Sequence, residues 1–197
     1  LLCYSSMVLF WNRDRYSLDY ADSIEQFFEL RQSVEKLALA SYFAEVSAML
    51  GPKENDKGQF LKLLLNCLSF LQSGRMDGML LKAVFELRAL SISGFMPDLV
   101  ACAGCGCYTA PQMCFYPNEG TLYCADCSVD RKEIHIFLTA GALAAMRHII
   151  YSPMEKLFAF TIGAESICCL NDAAEQFLQS QTERNYQSLE FFHSLLR

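Results

Sequence analysis

Two Cys-x2-Cys pairs constrain this chain more than any other feature of its sequence. Cys102 and Cys105 form the first pair, Cys124 and Cys127 form the second, and eighteen residues separate the pairs. This spacing is typical of a structural zinc site, because each tight turn places two sulfur atoms on one side and two turns complete a tetrahedron. Gly106 follows the first pair, and glycine permits the positive φ that such a turn favours. The sequence therefore predicts that these four cysteines bind one structural zinc ion.

The residues between the pairs have the pattern of a β-hairpin. Met113–Tyr116 and Thr121–Tyr123 are rich in strand-forming residues, and Pro117–Gly120 between them is typical of a turn. Val100 and Ala101 are predicted to form a strand that leads into the first pair. Together these segments predict a zinc-ribbon-like hairpin at about residues 100–130.

Three other uses of paired cysteines are less consistent with the sequence. Disulfide frameworks favour short secreted chains, whereas this chain spreads ten cysteines over 197 residues. A redox Cys-x2-Cys motif usually occurs singly near a βαβ pattern. Catalytic zinc usually has three protein ligands and an open position. Cys107 and Cys114 can each replace one ligand, but either would break the paired spacing, so both are predicted to be free thiols.

The rest of the chain is predicted to be mainly helical, with two strands in residues 1–20. Helical periodicity starts at Asp22, where Asp22 or Ser23 can act as the N-cap. A charged loop is predicted at 52–58. The remaining predicted helices are residues 60–71, 77–93 after an Asp77 cap, 139–151 after a Thr139 cap, one capped by Asn171 or Asp172, and 186–196. Because a lone hairpin is marginal in water and the chain opens within a strand, we expect the first strands to belong to a larger sheet that upstream residues complete.

Composition limits the kinds of partner. Hydrophobic residues make up 53% of the chain, enough for a core without a metal, yet no apolar run is long enough to cross a membrane. Many unpaired cysteines favour a reducing cytosol. The net charge is −6, and four thiolates on one zinc ion add a site of about −2. This part of the protein is therefore not expected to supply the main electrostatic contact with nucleic acid.

Several segments together resemble the bacterial RecO family of DNA repair proteins. The residues that carry the resemblance are Phe85-Glu-Leu-Arg88-x-Leu90, Gly94-Phe95-x-Pro97-x-Leu99, Cys102-x2-Cys105-Gly106 and Glu119-Gly120-x-Leu122-x-Cys124-x2-Cys127. Residues 1–20 resemble the last strands of the family's N-terminal OB-fold, and residues 21–197 resemble its helical domain. The resemblance thus implies a mainly α fold that carries a zinc hairpin and follows an incomplete OB-fold barrel.

The resemblance implies a non-catalytic recombination mediator in the RecF/RecO/RecR pathway of the bacterial cytoplasm, associated with the nucleoid. The implied partners are single- and double-stranded DNA, RecR and the tail of single-stranded DNA-binding protein. The implied actions are loading RecA on gaps and annealing strands. DNA binding would lie mainly in the upstream OB-fold. The alternative is a generic zinc-ribbon module for protein interaction.

Residues that suggest catalysis have structural explanations. Glu86 and Arg88 are two positions apart and do not face each other on a helix, so separate structural pairs are predicted. The aromatic residues Phe27, Phe28, Tyr42 and Phe43 are predicted to be core residues. No nucleophile or phosphate-binding motif occurs, and the sequence therefore predicts no enzyme activity.

Overall fold

The computed structural model describes residues 2–51 and 57–196, and within these ranges the chain forms seven α-helices and six β-strands. About half of the chain is helical. The helices are α1 Val34–Leu50, α2 Lys57–Ser73, α3 Gly78–Ile92, α4 Ala125–Ser128, α5 Ala140–Tyr151, α6 Ala164–Thr182 and α7 Gln187–Leu195; the strands are β1 Tyr4–Asn12, β2 Arg15–Glu25, β3 Asp98–Cys102, β4 Met113–Tyr116, β5 Thr121–Cys124 and β6 Ile136–Leu138. Among the described residues, no helix combines the length and apolarity needed to cross a membrane.

Helix α3 is the centre of the helical body. Every side chain from Leu80 to Leu87 is buried, and the helix contacts α1, α2, α5 and α6. A helix that buries side chains around its whole circumference lies inside the protein. Its start is fixed as the sequence predicts, because the Asp77 carboxylate accepts hydrogen bonds from the backbone N–H groups of Met79 and Leu80 at 2.9 and 3.0 Å.

A buried charge cluster interrupts this apolar core and consists of Tyr42, Lys82, Glu86 and Glu175. Lys82 Nζ lies 2.9 Å from Glu86 Oε1 and 2.8 Å from Glu175 Oε2. The Tyr42 hydroxyl donates to Glu86 Oε1 at 2.5 Å. Burial opposes the charge on Lys82, but Glu86 and Glu175 hold its pKa above the usual value. The buried charge cluster therefore ties α1 and α6 to α3.

Strands β1 and β2 form an antiparallel hairpin that is longer than the sequence predicts. Its pairing runs from Asn12↔Arg15 at the turn to Tyr4↔Glu25 at the base. The prediction of a helix from Asp22 is therefore wrong, because the segment pairs with β1 instead. A short 3-10 helix at Phe28–Gln32 follows, and Ser33 is the residue that caps α1, by accepting from the Lys36 N–H at 3.2 Å.

The second sheet has the strand order β3-β5-β4-β6. The predicted hairpin is present, because β4 and β5 pair antiparallel with Met113 opposite Cys124. Strand β3 pairs parallel with β5, and β6, which the sequence did not predict, pairs antiparallel with β4. Helix α5 packs along β3: Arg147 donates to Leu99 O at 2.7 Å and to Val100 O at 3.2 Å, and the Leu99 N–H donates to the Tyr151 hydroxyl at 3.1 Å.

The second half of the chain mixes confirmed and wrong helix boundaries. Thr139 caps α5 as predicted, by accepting from the Ala142 N–H at 3.1 Å. Helix α6 begins at Ala164, however, so Asn171 is not its cap but a buried residue in its middle. The Asn171 amide donates to Met79 O at 2.7 Å, which ties α6 to the start of α3.

Of the predicted charged loop at 52–58, residues 52–56 lie outside the described residues and 57–58 belong to α2.

Candidate metal centre

The sheet topology brings the two cysteine pairs together. Cys102 ends β3 and Cys124 ends β5, and the carboxyl ends of these parallel neighbours lie at the same edge of the sheet. Each strand leads directly into a turn that carries the second cysteine of its pair; for Cys127 that turn is the short helix α4. The four sulfur atoms lie within 4.8 Å of one another. This four-sulfur cluster is the arrangement that tetrahedral zinc requires.

Backbone N–H groups point at two of the sulfur atoms and favour their ionised form. Burial opposes ionisation of Cys102, but the N–H groups of Cys124, Cys105 and Gly104 outweigh it and lower the Cys102 pKa to about 6. The Cys124 N–H lies 3.2 Å from Cys102 Sγ. The N–H of Cys107 likewise lowers the pKa of Cys105. Thiolate is the form of cysteine that binds metal, so these donors favour the metal-binding form at two candidate ligands.

The Cys127 thiol is held protonated by its neighbours. Contact with the sulfurs of Cys124 and Cys105 raises the pKa of Cys127 to about 12. The physical cause is that negative charges on adjacent sulfur atoms would repel each other, which disfavours ionisation of a further thiol. A divalent cation removes this obstacle, because a coordinating thiol loses its proton outright. The donor set therefore fits Zn²⁺, and metal binding by it must release protons.

Gly104 leaves the space that the Cys127 side chain occupies. A Cβ atom on residue 104 would lie 2.9 Å from both Cβ and Sγ of Cys127, closer than van der Waals contact allows. The first turn can therefore pass beside the second pair only if position 104 carries no side chain. Gly104 is therefore a second feature of the sequence, besides the cysteines, that the site needs.

We expect Gly104→Ala to weaken zinc binding by about 10- to 100-fold, the range typical of changes to groups that orient metal ligands. The added methyl group must displace Cys127 Sγ. Competition titration with a chromophoric chelator measures the affinity. Gly163→Ala is the matched control, because a Cβ there meets nothing within 4 Å; an equal effect of the two changes would contradict this account.

Arg131 braces the hairpin, which sequence reasoning missed. The Arg131 guanidinium lies over the rings of Tyr116 and Tyr123, at 4.6 and 4.2 Å from their centres, and pairs with Glu119. The signal for this contact was present in the predicted hairpin, where strand alternation places both tyrosines on one face.

Cys114 lies in β4 as a buried thiol whose sulfur accepts from Ser128 Oγ at 3.6 Å.

The residues that suggested catalysis have structural partners. Glu86 belongs to the buried charge cluster, whereas Arg88 Nη1 donates to the carbonyls of Ile149 and Ile150 at 3.2 and 2.7 Å. The prediction of separate structural pairs is therefore confirmed. Of the aromatic residues predicted to be core, Phe27, Tyr42 and Phe43 are buried, but Phe28 is 61% exposed, so that prediction is wrong for Phe28.

Comparison with known proteins places this architecture among DNA repair proteins. Residues 31–190 match the family model described as recombination protein O C terminal. The chain is 29% identical over 197 residues to the DNA repair protein RecO of Acetivibrio thermocellus, a match that covers 100% of this chain and 78% of the relative. It is 30% identical over 191 residues to the DNA repair protein RecO of Symbiobacterium thermophilum (95% of this chain, 75% of the relative). It is 26% identical over 189 residues to that of Alkaliphilus metalliredigens (95% and 76%).

Proposed function

Because this chain belongs to the RecO family of DNA repair and recombination proteins, we propose that it acts as a non-catalytic recombination mediator. In this role it binds DNA and partner proteins rather than converting a substrate. The partners that the family resemblance implies are RecR and the tail of single-stranded DNA-binding protein, within the RecF/RecO/RecR pathway at the bacterial nucleoid. The outcome is loading of RecA on single-stranded gaps and annealing of complementary strands.

In this proposal Cys102, Cys105, Cys124 and Cys127 hold one structural zinc ion. The mutual distances of the four sulfurs and the N–H donors around Cys102 support this assignment. Zinc would supply a cross-link between the turn after β3 and the turn after β5. Four thiolates fill all tetrahedral positions and leave none open for a substrate, which is the mark of a structural site. The segment at 100–130 then acts as a zinc-ribbon module set into the helical domain.

The β1–β2 hairpin is proposed to be the last part of an OB-fold barrel, the part that residues 1–20 resemble. The hairpin itself reaches Glu25. The support is its surface. Large apolar side chains are exposed on both faces: Met7, Val8, Leu9, Phe10, Trp11, Tyr16, Leu18, Tyr20 and Ile24. A two-stranded hairpin with apolar side chains on both faces is marginal in water and needs neighbouring strands.

The observation that carries the DNA-binding part of the proposal is the aromatic tip of this hairpin. Trp11 and Tyr16 form an edge-to-face pair with ring centres 4.7 Å apart, and both side chains are more than half exposed. Arg13 and Arg15 lie in or beside the turn between them. Aromatic rings beside cationic side chains bind single-stranded DNA by stacking on bases and contacting phosphates.

We expect the 197-residue chain to bind single-stranded DNA weakly at physiological salt and measurably at low salt. The acidic balance of −6 opposes binding, whereas base stacking on the tip favours it. Trp11→Ala should weaken binding by about 1–3 kcal/mol, the usual worth of one base–aromatic stack. Anisotropy of a labelled oligonucleotide measures the affinity across a salt series.

Phe191→Ala is the matched control, because Phe191 is an exposed aromatic residue (52%) on α7, outside the hairpin. It should bind DNA as the parent chain does. If both variants lose affinity equally, or if the parent chain fails to bind DNA even at low salt, the hairpin is not a DNA contact. That result would favour the alternative of a zinc-ribbon module for protein interaction.

A further inference from the structure

The loop between β3 and β4 carries a fifth cysteine beside the four-sulfur cluster. Cys107 follows Cys105 by two residues, and its carbonyl oxygen accepts from the backbone N–H of Cys102 at 2.9 Å. Gly106 makes this closure, because its φ is +74 and its N–H donates to Cys102 O at 2.8 Å. The backbone of Cys107 is therefore held against the strand end that carries the first ligand of the cluster.

The side chain of Cys107 also faces the cluster. It is half-buried and packs against the core. Its thiol interacts with the sulfurs of Cys105 and Cys124. These contacts place the Cys107 thiol at the edge of the cluster that Cys105 and Cys124 share, where Sγ of Cys105 and Sγ of Cys124 are 3.7 Å apart.

Spacing and exposure make Cys107 a suitable partner for Cys102. Zinc sites use pairs with two to four intervening residues, so both Cys102-x2-Cys105 and Cys102-x4-Cys107 fall within the range. Cys105 is the exposed member of the four, whereas Cys102 and Cys124 are buried. The ligand that solutes reach most easily is thus the one that has a second thiol beside it.

We propose that Cys107 is an alternative fourth ligand, which takes the place of Cys105 in the metal site when Cys105 is removed or chemically blocked. The inference rests on the proposed zinc site and extends it from four sulfurs to five. In the exchange, the Cys107 thiol gives its proton to water and the thiolate contributes the fourth sulfur, so the charge of the metal site is unchanged. The loop needs only a local shift, since its backbone already closes on Cys102.

Titration of the full chain with Co²⁺ tests this directly. Tetrahedral Co²⁺ reports its ligands by absorption, because sulfur-to-metal charge transfer grows with the number of thiolates. The variants are Cys105→Ser, Cys107→Ser and the double change, with Cys168→Ser, an exposed thiol on α6, as the control. Circular dichroism of each variant checks that the helical body remains folded.

We expect the parent chain, Cys107→Ser and Cys168→Ser to give the same four-sulfur spectrum. Cys105→Ser should keep a four-sulfur spectrum with weaker affinity, and the double variant should fall to three sulfurs and bind Co²⁺ at least about tenfold more weakly than Cys105→Ser, a loss of about 1.4 kcal/mol. A three-sulfur spectrum for Cys105→Ser that matches the double variant overturns the role of Cys107. Failure of the parent chain to bind Co²⁺ overturns the metal site itself, which is a separate result.

Discussion

Replacing Lys82 with methionine is expected to lower the free energy of unfolding by about 3–5 kcal/mol, the usual cost of removing one partner from a buried ion pair. The Lys82 side chain is fully buried and lies within 3 Å of two carboxylates. Without it, the Glu86 carboxylate keeps only the Tyr42 hydroxyl, since Glu86 Oε2 has no hydrogen-bond partner among the described residues. Urea unfolding followed by circular dichroism measures the change.

Two further variants show that the buried charge causes the loss. Lys82→Met with Glu86→Gln removes the two fully buried charges, leaves the partly exposed Glu175 and keeps an acceptor for Tyr42, so it should recover at least half of the lost stability. Lys62→Met removes a cation from an exposed pair, in which Lys62 Nζ lies 3.4 Å from Glu155, and should change stability by less than about 0.5 kcal/mol. A double variant no more stable than Lys82→Met would contradict this explanation.

The loss in Lys82→Met should also shrink in acid. Burial raises the Glu86 pKa above its ordinary value of 4.5, and loss of the lysine removes the cation that opposes this rise. A carboxyl group whose folded-state pKa is raised costs stability above that pKa, and the cost disappears below the ordinary value. The deficit should therefore decrease as the pH is lowered toward 4.5.

Cys124→Ser is expected to separate the metal module from the helical body. The parent chain should bind one equivalent of zinc, and the variant much less, because Cys124→Ser removes one of the four proposed sulfur ligands. Structural zinc sites fold only with their metal, so backbone amides in β3, β4 and β5 should lose protection from hydrogen exchange. Amides in α3 and α6 should keep it, because these two helices pack mainly against each other and against other helices of the body.

The complementary variant is Cys67→Ala. Cys67 is a fully buried thiol of α2, so its removal should lower global stability by about 1 kcal/mol and leave the zinc content at one equivalent. Metal analysis and hydrogen exchange on both proteins separate the two effects. Parent protein with four reduced thiols and much less than one zinc, or loss of α3 protection in Cys124→Ser, would contradict the expected division.

Local signals predicted the parts of the fold that depend on neighbours in sequence. Asp77 and Thr139 were recognised as caps because a cap contacts residues only two or three positions away. The cysteine pairs were recognised because each turn is local, and the hairpin between them is short. The sequence did not reveal the parallel pairing of β3 with β5, which brings the two cysteine pairs together.

The missed features depend on distant partners. Asp22 and Ser23 have the sequence pattern of a helix cap, but in the structure they pair with β1 as part of a strand. Asn171 resembles a cap, but its amide reaches α3 from the middle of a helix. Strand β6 has only three residues and exists because β4 lies beside it. The spacing of Lys82 and Glu86 allows an ion pair on a helix, yet only the packing of α1 and α6 on α3 shows that the pair is buried.

The contacts of α5 with β3 have a consequence for self-association. Strand β3 is at the edge of its sheet, and an open edge offers N–H and C=O groups on which a strand of another molecule can assemble. Arg147 occupies the carbonyls of Leu99 and Val100, and the Tyr151 hydroxyl occupies the N–H of Leu99. One helix thus blocks the edge beside the cysteine turns, and intermolecular strand addition there would first have to displace a guanidinium and a phenol.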